Sequence, residues 1–189
     1  MSRSIDREAR HVNLEELAGD EIYELVSHNP GHLLRRAYQV FLFFFDDTMK
    51  GLNMTPLLWI LLTVTYCYPR RSVTDIAELS RIDKASCGRA ATLLEKRGLM
   101  RIGTGEKDRR QRVLELTPHG HEVVLDGMSR TLEMQKKLLQ CFDQEEARQF
   151  VSILETFGEC HELCVSGPAH AVSDTQASKR SPNIMANWL

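Results

Sequence analysis

Lys107, Arg109, Arg110 and Arg112 stand within one six-residue span of the stretch GTGEKDRRQRVLELTPHG, residues 103–120. Guanidinium and ammonium groups gathered in this way suit phosphate oxygens, which accept charge-assisted hydrogen bonds. A second group lies just upstream. Lys84, Ala85 and Ser86 open a helical segment, and Arg89 follows one turn on. Small and hydrogen-bonding side chains at the start of a helix fit the major groove of a duplex. Ser86 can serve several bases, and Arg89 can take a guanine or a phosphate. A charged hairpin tip can also be simply a solvated one, so the surrounding elements must decide.

The charge is segregated. Residues 81–112 hold ten Lys and Arg against four Asp and Glu, a net +6, while the whole chain carries −2. The remainder therefore carries −8, which points to one basic face on an otherwise acidic body. With 42% hydrophobic residues, the 189-residue chain can bury a core as a single domain with extensions. No window reaches the roughly 18 apolar residues that a membrane helix needs. The start, MSRSIDREARH, has no apolar signal region, so a cytoplasmic protein is expected. Cys67, Cys87, Cys141, Cys160 and Cys164 are odd in number and irregularly spaced. Free thiols are expected rather than a disulfide framework.

The elements that must position the charged clusters read as follows. Residues 14–27 place Leu14, Leu17, Ala18, Leu25 and Val26 near one helical face. Asn29-Pro30 caps and opens a long helix. Its middle, Val40 to Phe45, is apolar all the way round. A helix apolar on every side is expected to be buried on every side. One small domain covers only one of those faces, so a second copy of the chain is expected to cover the other. Thr55-Pro56 opens a core helix that Pro69 ends. Two short helices come next, one capped by Ser72 with Asp75, the other starting at Asp83 and stopping at Gly98. Strands are expected at 99–103 and 111–116, with Gly103, Gly105, Lys107 and Asp108 as turn residues. Thr117-Pro118 caps a helix to about Gln140, with Val123, Val124, Met128, Leu132 and Leu139 as its apolar stripe. Asp143 with Glu146 caps a last helix to about Cys164. The tail is polar and is expected to be flexible.

Two short helices, the second basic at its start, followed by a two-stranded hairpin, give the order of a winged helix-turn-helix. The fold class expected is mainly α with a small β-hairpin wing, flanked by N- and C-terminal dimerisation helices. The expected layout is an arm at 1–29 and a domain at 30–164. Within that domain the DNA-binding lobe spans about 55–116, and helices 30–51 and 117–164 dimerise. The tail is 165–189.

The segment DIAELSRIDKASCGRAATLLEKRGLMRIGTGEKDRRQRVLELTPHG resembles the DNA-binding core of the MarR family of transcription regulators. Asp108-Arg109-Arg110, then Val113, Leu116-Thr117 and Gly120, match that family's wing and following helix. Leu94-Glu95 with Arg97-Gly98-Leu99 match its recognition-helix exit. The resemblance covers roughly 30–160. PGHLLRRA at 30–37 is further similar to the branch that controls aromatic-acid breakdown. The resemblance implies a homodimeric repressor that binds a palindromic double-stranded DNA operator and releases it when a small ligand binds. It also implies that Arg110 enters the minor groove and that Asp108 holds the wing arginines. There are two departures. Ser80 and Arg81 stand where the turn usually has an aliphatic residue and a glycine, so a turn of different shape is expected, with Arg81 near a phosphate. Gly88 sits in the middle of the reading helix, at a cost of up to about 1 kcal/mol relative to alanine.

His32, Arg35, Arg36 and Tyr38 on the first long helix, with Trp59 and Tyr66 on the next, could form an aromatic pocket with a cationic end. Such a pocket suits an aromatic carboxylate or its CoA thioester. The plainer reading puts Trp59 and Tyr66 in the core and leaves the arginines solvated or paired with Asp and Glu. No cofactor and no metal are expected. Cys160, His161 and Cys164 share a helix and would carry a metal-responsive alternative of the same fold, although two helix-borne thiols do not complete a tetrahedral site. Cys67 or Cys87 would carry a redox-responsive alternative, with Cys87 on an apolar face where a thiol is inert. An enzyme is not expected, since there is no Gly-rich phosphate loop, nucleophile elbow or metal helix. A dimeric interaction module without DNA binding is the remaining alternative class.

Overall fold

Helix starts follow the capping residues. Thr55 Oγ1 accepts from Leu58 N at 3.3 Å, and Thr117 Oγ1 accepts from Gly120 N at 3.0 Å. Ser72 and Asp75 cap each other reciprocally, with Ser72 Oγ accepting from Asp75 N and Asp75 Oδ2 from Ser72 N. Asp143 and Glu146 form the same reciprocal pair. Each cap satisfies amides that the first helical turn leaves without partners. In the computed structural model the described residues are 17–105 and 110–166. Lys107, Asp108 and Arg109, the expected arm before Leu17 and the expected tail after Ser166 lie outside them.

The elements in chain order are α1 (Gly19–Ser27), α2 (Pro30–Thr48), α3 (Pro56–Cys67), β1 (Arg71–Ser72), α4 (Val73–Ser80), α5 (Lys84–Lys96), β2 (Met100–Thr104), β3 (Arg112–Leu116), α6 (Pro118–Leu139) and α7 (Gln144–Ser166). The protein is mostly helical with one small antiparallel sheet. The chain divides into two units, one ending at Phe43 and the other beginning at Phe44.

The first unit holds α1 and most of α2. Leu25, Val26 and Val40 are exposed in this single chain, and Phe43 is 71% exposed. The expectation that Val40 to Phe45 is covered on every side is thus met within one chain at Phe45, which belongs to the second unit, and not at Val40 or Phe43.

In the second unit Leu61, Leu62, Ile76, Leu94 and Leu114 are fully buried, one or two from each of α3, α4, α5 and β3. Thr65 is equally buried, and its hydroxyl donates to Leu61 O at 2.8 Å, which removes the cost of burying it. The sheet order is β1-β3-β2, with Ile102 opposite Leu114 and Met100 opposite Leu116. Both hairpin strands fall one residue later in their starts than the alternation suggested. The two-residue β1 had no periodicity to betray it.

The buried face of α6 differs from the expected stripe. Gly120, Val124, Gly127 and Met134 point inward, whereas Met128 is exposed and Val123, Leu132 and Leu139 are half-buried. Backbone approaches most closely where there is no Cβ, so the glycines set the rotation of the helix. A Cβ on Gly120 would lie 2.0 Å from the Leu99 carbonyl oxygen.

The loop between α2 and α3 is gripped from two sides. Arg97, just past α5, donates to Asn53 O. Arg130 of α6 donates to Lys50 O at 3.1 Å and pairs with Asp126 through Nε at 3.1 Å and Nη2 at 2.7 Å. The loop itself bends through positive φ at Gly51 (87°) and Asn53 (53°).

Candidate nucleic-acid interface

Helices α4 and α5 are joined by Arg81-Ile82-Asp83. Arg81 adopts the left-handed conformation (φ 53°, ψ 41°), and Ile82 N donates to Ala77 O at 3.0 Å. A turn of different shape was expected because glycine is missing there. Arg81 nevertheless adopts the backbone geometry that glycine takes most easily, at a cost of about 1–2 kcal/mol for an L side chain. The Ser80 hydroxyl closes the helix end by donating to Ile76 O.

Asp83 then starts α5. Its Oδ1 accepts from Ser86 N at 2.8 Å. The Ser86 side chain and backbone N–H, with Arg89 adding attraction, hold the Asp83 carboxyl below its ordinary value. Arg89 Nη2 donates to Ser86 Oγ at 2.8 Å. Asp83, Ser86 and Arg89 thus form a continuous hydrogen-bonded row along the outer face. Lys84, Ala85 and Arg89 are exposed and Ser86 is half-buried. The opposite face carries Cys87, Ala90, Ala91 and Leu94, all buried. Burial pushes the Cys87 thiol up to about 11, and its S–H donates to Val73 O at 3.6 Å.

The hairpin follows at once. Gly98 turns the chain at φ 71°. Thr117 Oγ1 donates to Gly98 O at 2.6 Å and Thr117 N donates to Leu99 O at 3.1 Å, tying the base of the hairpin to the start of α6. Glu95 Oε1, in the last turn of α5, accepts from Ile102 N of β2 at 3.0 Å. Nothing in the sequence marks this Glu95 contact or the two-sided grip of Arg97 and Arg130, since each depends on the fold bringing distant segments together. Arg101, Arg110 and Arg112 are exposed on the hairpin. Of the cations at its tip, Lys107 and Arg109 fall outside the described residues, as does Asp108.

The candidate effector residues are distributed over both units. His32 is half-buried, while Arg35, Arg36 and Tyr38 are exposed on α2, where Tyr38 stacks on Phe41 with centroids 6.0 Å apart. In the second unit Trp59 is buried against Gly127, and Tyr66 meets His121 edge-on at 5.3 Å. Cys67, Cys141 and Cys160 are exposed. The side chains of His161 and Cys164 are not among those described. Among the described residues no three His, Cys, Asp or Glu side chains converge as metal ligands, and no helix is long and apolar enough to cross a membrane.

A capped helix pair with a left-handed turn, followed by a hairpin tied to the second helix, defines a winged helix-turn-helix. In this fold the chain resembles the MarR-family transcriptional regulators. BpsR of Bordetella bronchiseptica, whose DNA binding is regulated by 6-hydroxynicotinic acid, superposes with a TM-score of 0.67 at 25% identity, over 70% of this chain and 95% of its own. PcaV of Streptomyces coelicolor, solved with its natural ligand, gives 0.66 at 22% identity, over 71% and 94%. The transcriptional repressor CouR, solved on a 23-mer DNA duplex, gives 0.66 at 24% identity, over 76% and 99%. These neighbours are regulators and not enzymes. No family model matches the sequence, and no curated protein matches it.

Proposed function

We propose that the chain is a homodimeric DNA-binding transcription regulator, a repressor released from a palindromic operator by a small aromatic acid or its CoA thioester. The observation that carries this reading is the division of α5. Its inner face is sealed by Cys87, Ala90, Ala91 and Leu94, and its outer face offers Lys84, Ala85, Ser86 and Arg89 beside a basic hairpin. Arg110 would enter the minor groove, where negative potential favours an arginine. Lys107 and Arg109 would meet backbone phosphates, with Asp108 holding the wing arginines.

Two such surfaces must meet half-sites about one helical turn apart, roughly 34 Å. Support for a dimer comes from exposed apolar side chains, Val40 and Phe43 on α2, and Ile153, Leu154 and Phe157 on α7. Helices 30–51 and 117–164 would dimerise, and the lobe at about 55–116 would read DNA. BpsR, whose DNA binding is regulated by 6-hydroxynicotinic acid, supports an aromatic acid as effector, for which His32, Arg35, Arg36, Tyr38, Trp59 and Tyr66 are the candidate residues. Burial of Cys87 argues against a thiol switch on α5.

The test is anisotropy binding of the full chain to its own upstream promoter fragment across a salt series. Affinity should fall steeply as salt rises. A monomer in solution, or no binding at low ionic strength, overturns the proposal. Thermal-shift hits among phenolic acids and their CoA esters should then release that fragment.

A further inference from the structure

The sheet order β1-β3-β2 leaves β2 with an open edge. Leu114 O accepts from Arg70 N on the β1 side, so the Ile102–Leu114 pair is not hydrogen-bonded across β2 and β3. The Ile102 amide therefore points out of the sheet at that edge. It meets the Glu95 carboxylate at 3.0 Å, and Glu95 belongs to α5. One side chain thereby joins the two elements proposed to touch DNA.

We infer that Glu95 is a positioning residue that clips the β2–β3 hairpin to the reading helix α5 and sets how much the hairpin contributes to DNA affinity. The inference rests on the DNA-binding reading above. Two effects of opposite sign act at this position. A carboxylate close to a polyanion repels it, so charge alone makes Glu95 unfavourable for binding. The clip works the other way, by ordering the hairpin before DNA arrives and removing that cost from the binding step.

Substitution separates the two effects. Glu95→Gln keeps an acceptor oxygen and removes the charge, while Glu95→Ala removes both. Glu95→Gln should bind the promoter fragment at least as tightly as the native chain. Glu95→Ala should bind roughly three- to tenfold more weakly than Glu95→Gln, which is equally uncharged, the worth of one preorganising hydrogen bond. In an Arg110→Ala background that loss should shrink, because the hairpin then has one contact fewer to position. Equal affinity of Glu95→Ala and Glu95→Gln overturns the inference, as does an undiminished loss in the Arg110→Ala background.

Amide exchange gives an arm that needs no DNA. Ile102 N–H should be protected in the native chain and in Glu95→Gln and exposed in Glu95→Ala, with Leu114 N–H protected in all three. An unprotected Ile102 in the native chain removes the clip, even where Glu95→Ala fails to fold. A native chain that binds no DNA overturns the functional reading and the role given to Glu95 with it, while the exchange result decides the clip separately.

Discussion

The indole of Trp59 in α3 rests on the bare backbone of Gly127 in α6: a Cβ at Gly127 would stand 2.4 Å from Trp59 Cη2 and 2.6 Å from Cζ3. Gly127→Ala should therefore force the two helices apart or displace a buried ring. The expected loss is about 1–3 kcal/mol of stability in a denaturant melt. Trp59→Leu should recover part of it in the double variant, because the clash is with the far edge of the indole. Additive losses would show that the two residues do not share one contact.

Gly88 and Gly120 are both helical glycines with opposite surroundings. Nothing lies within 4 Å of a Cβ at Gly88, whereas one at Gly120 meets the Leu99 carbonyl oxygen. Gly88→Ala should stabilise the chain by about 0.5–1 kcal/mol through restricted backbone freedom. Gly120→Ala should cost about 3 kcal/mol or more, because the obstacle is backbone and cannot change rotamer. Melting curves of the two variants check the pair.

Arg110→Ala should weaken binding to the promoter fragment about tenfold or more and reduce the slope of log affinity against log salt by about 2, the signature of one lost phosphate-region contact in each of two protomers. The melting temperature should move little, since the contacts of an exposed arginine contribute about 1 kcal/mol or less. An unchanged slope and affinity would remove Arg110 from the interface.

The Cys87 thiol sheds its proton around 9.0 in an unfolded chain and at about 11 in the folded one. Between those values the unfolded state binds fewer protons, so stability falls as pH rises. Below 9.0 the contribution is complete. Comparing native and Cys87→Ala chains across that window should show a steeper decline in the native protein. At neutral pH a thiol reagent should modify Cys67 and Cys141 and spare Cys87. Rapid native-state labelling of Cys87 would contradict its burial.

Much of this architecture is legible in local chemistry. Thr55, Ser72, Asp83, Thr117 and Asp143 each cap a helix, because an N-cap is decided by the residue and its neighbours three positions on. The winged helix-turn-helix follows from that order of parts. Contacts set by tertiary geometry are not legible in the same way. The inward face of α6 turns on Gly120 and Gly127, which carry no apolar signal, so a stripe chosen by hydrophobicity selects Met128 instead. Arg81 takes a backbone conformation usually left to glycine, which residue type alone argues against. The outward residues of α5 were readable from helical spacing. The Glu95–Ile102 contact was not, because it depends on which strand ends up at the sheet edge.

The seven residues between Thr48 and Pro56 are moored at Asn53 to the end of α5 and at Lys50 to the middle of α6. Neither helix can slide along the other without snapping a charge-assisted tether or dragging the connector with it. A tug on α6 is thus delivered to the end of α5 through a short strap, with little slack to absorb it.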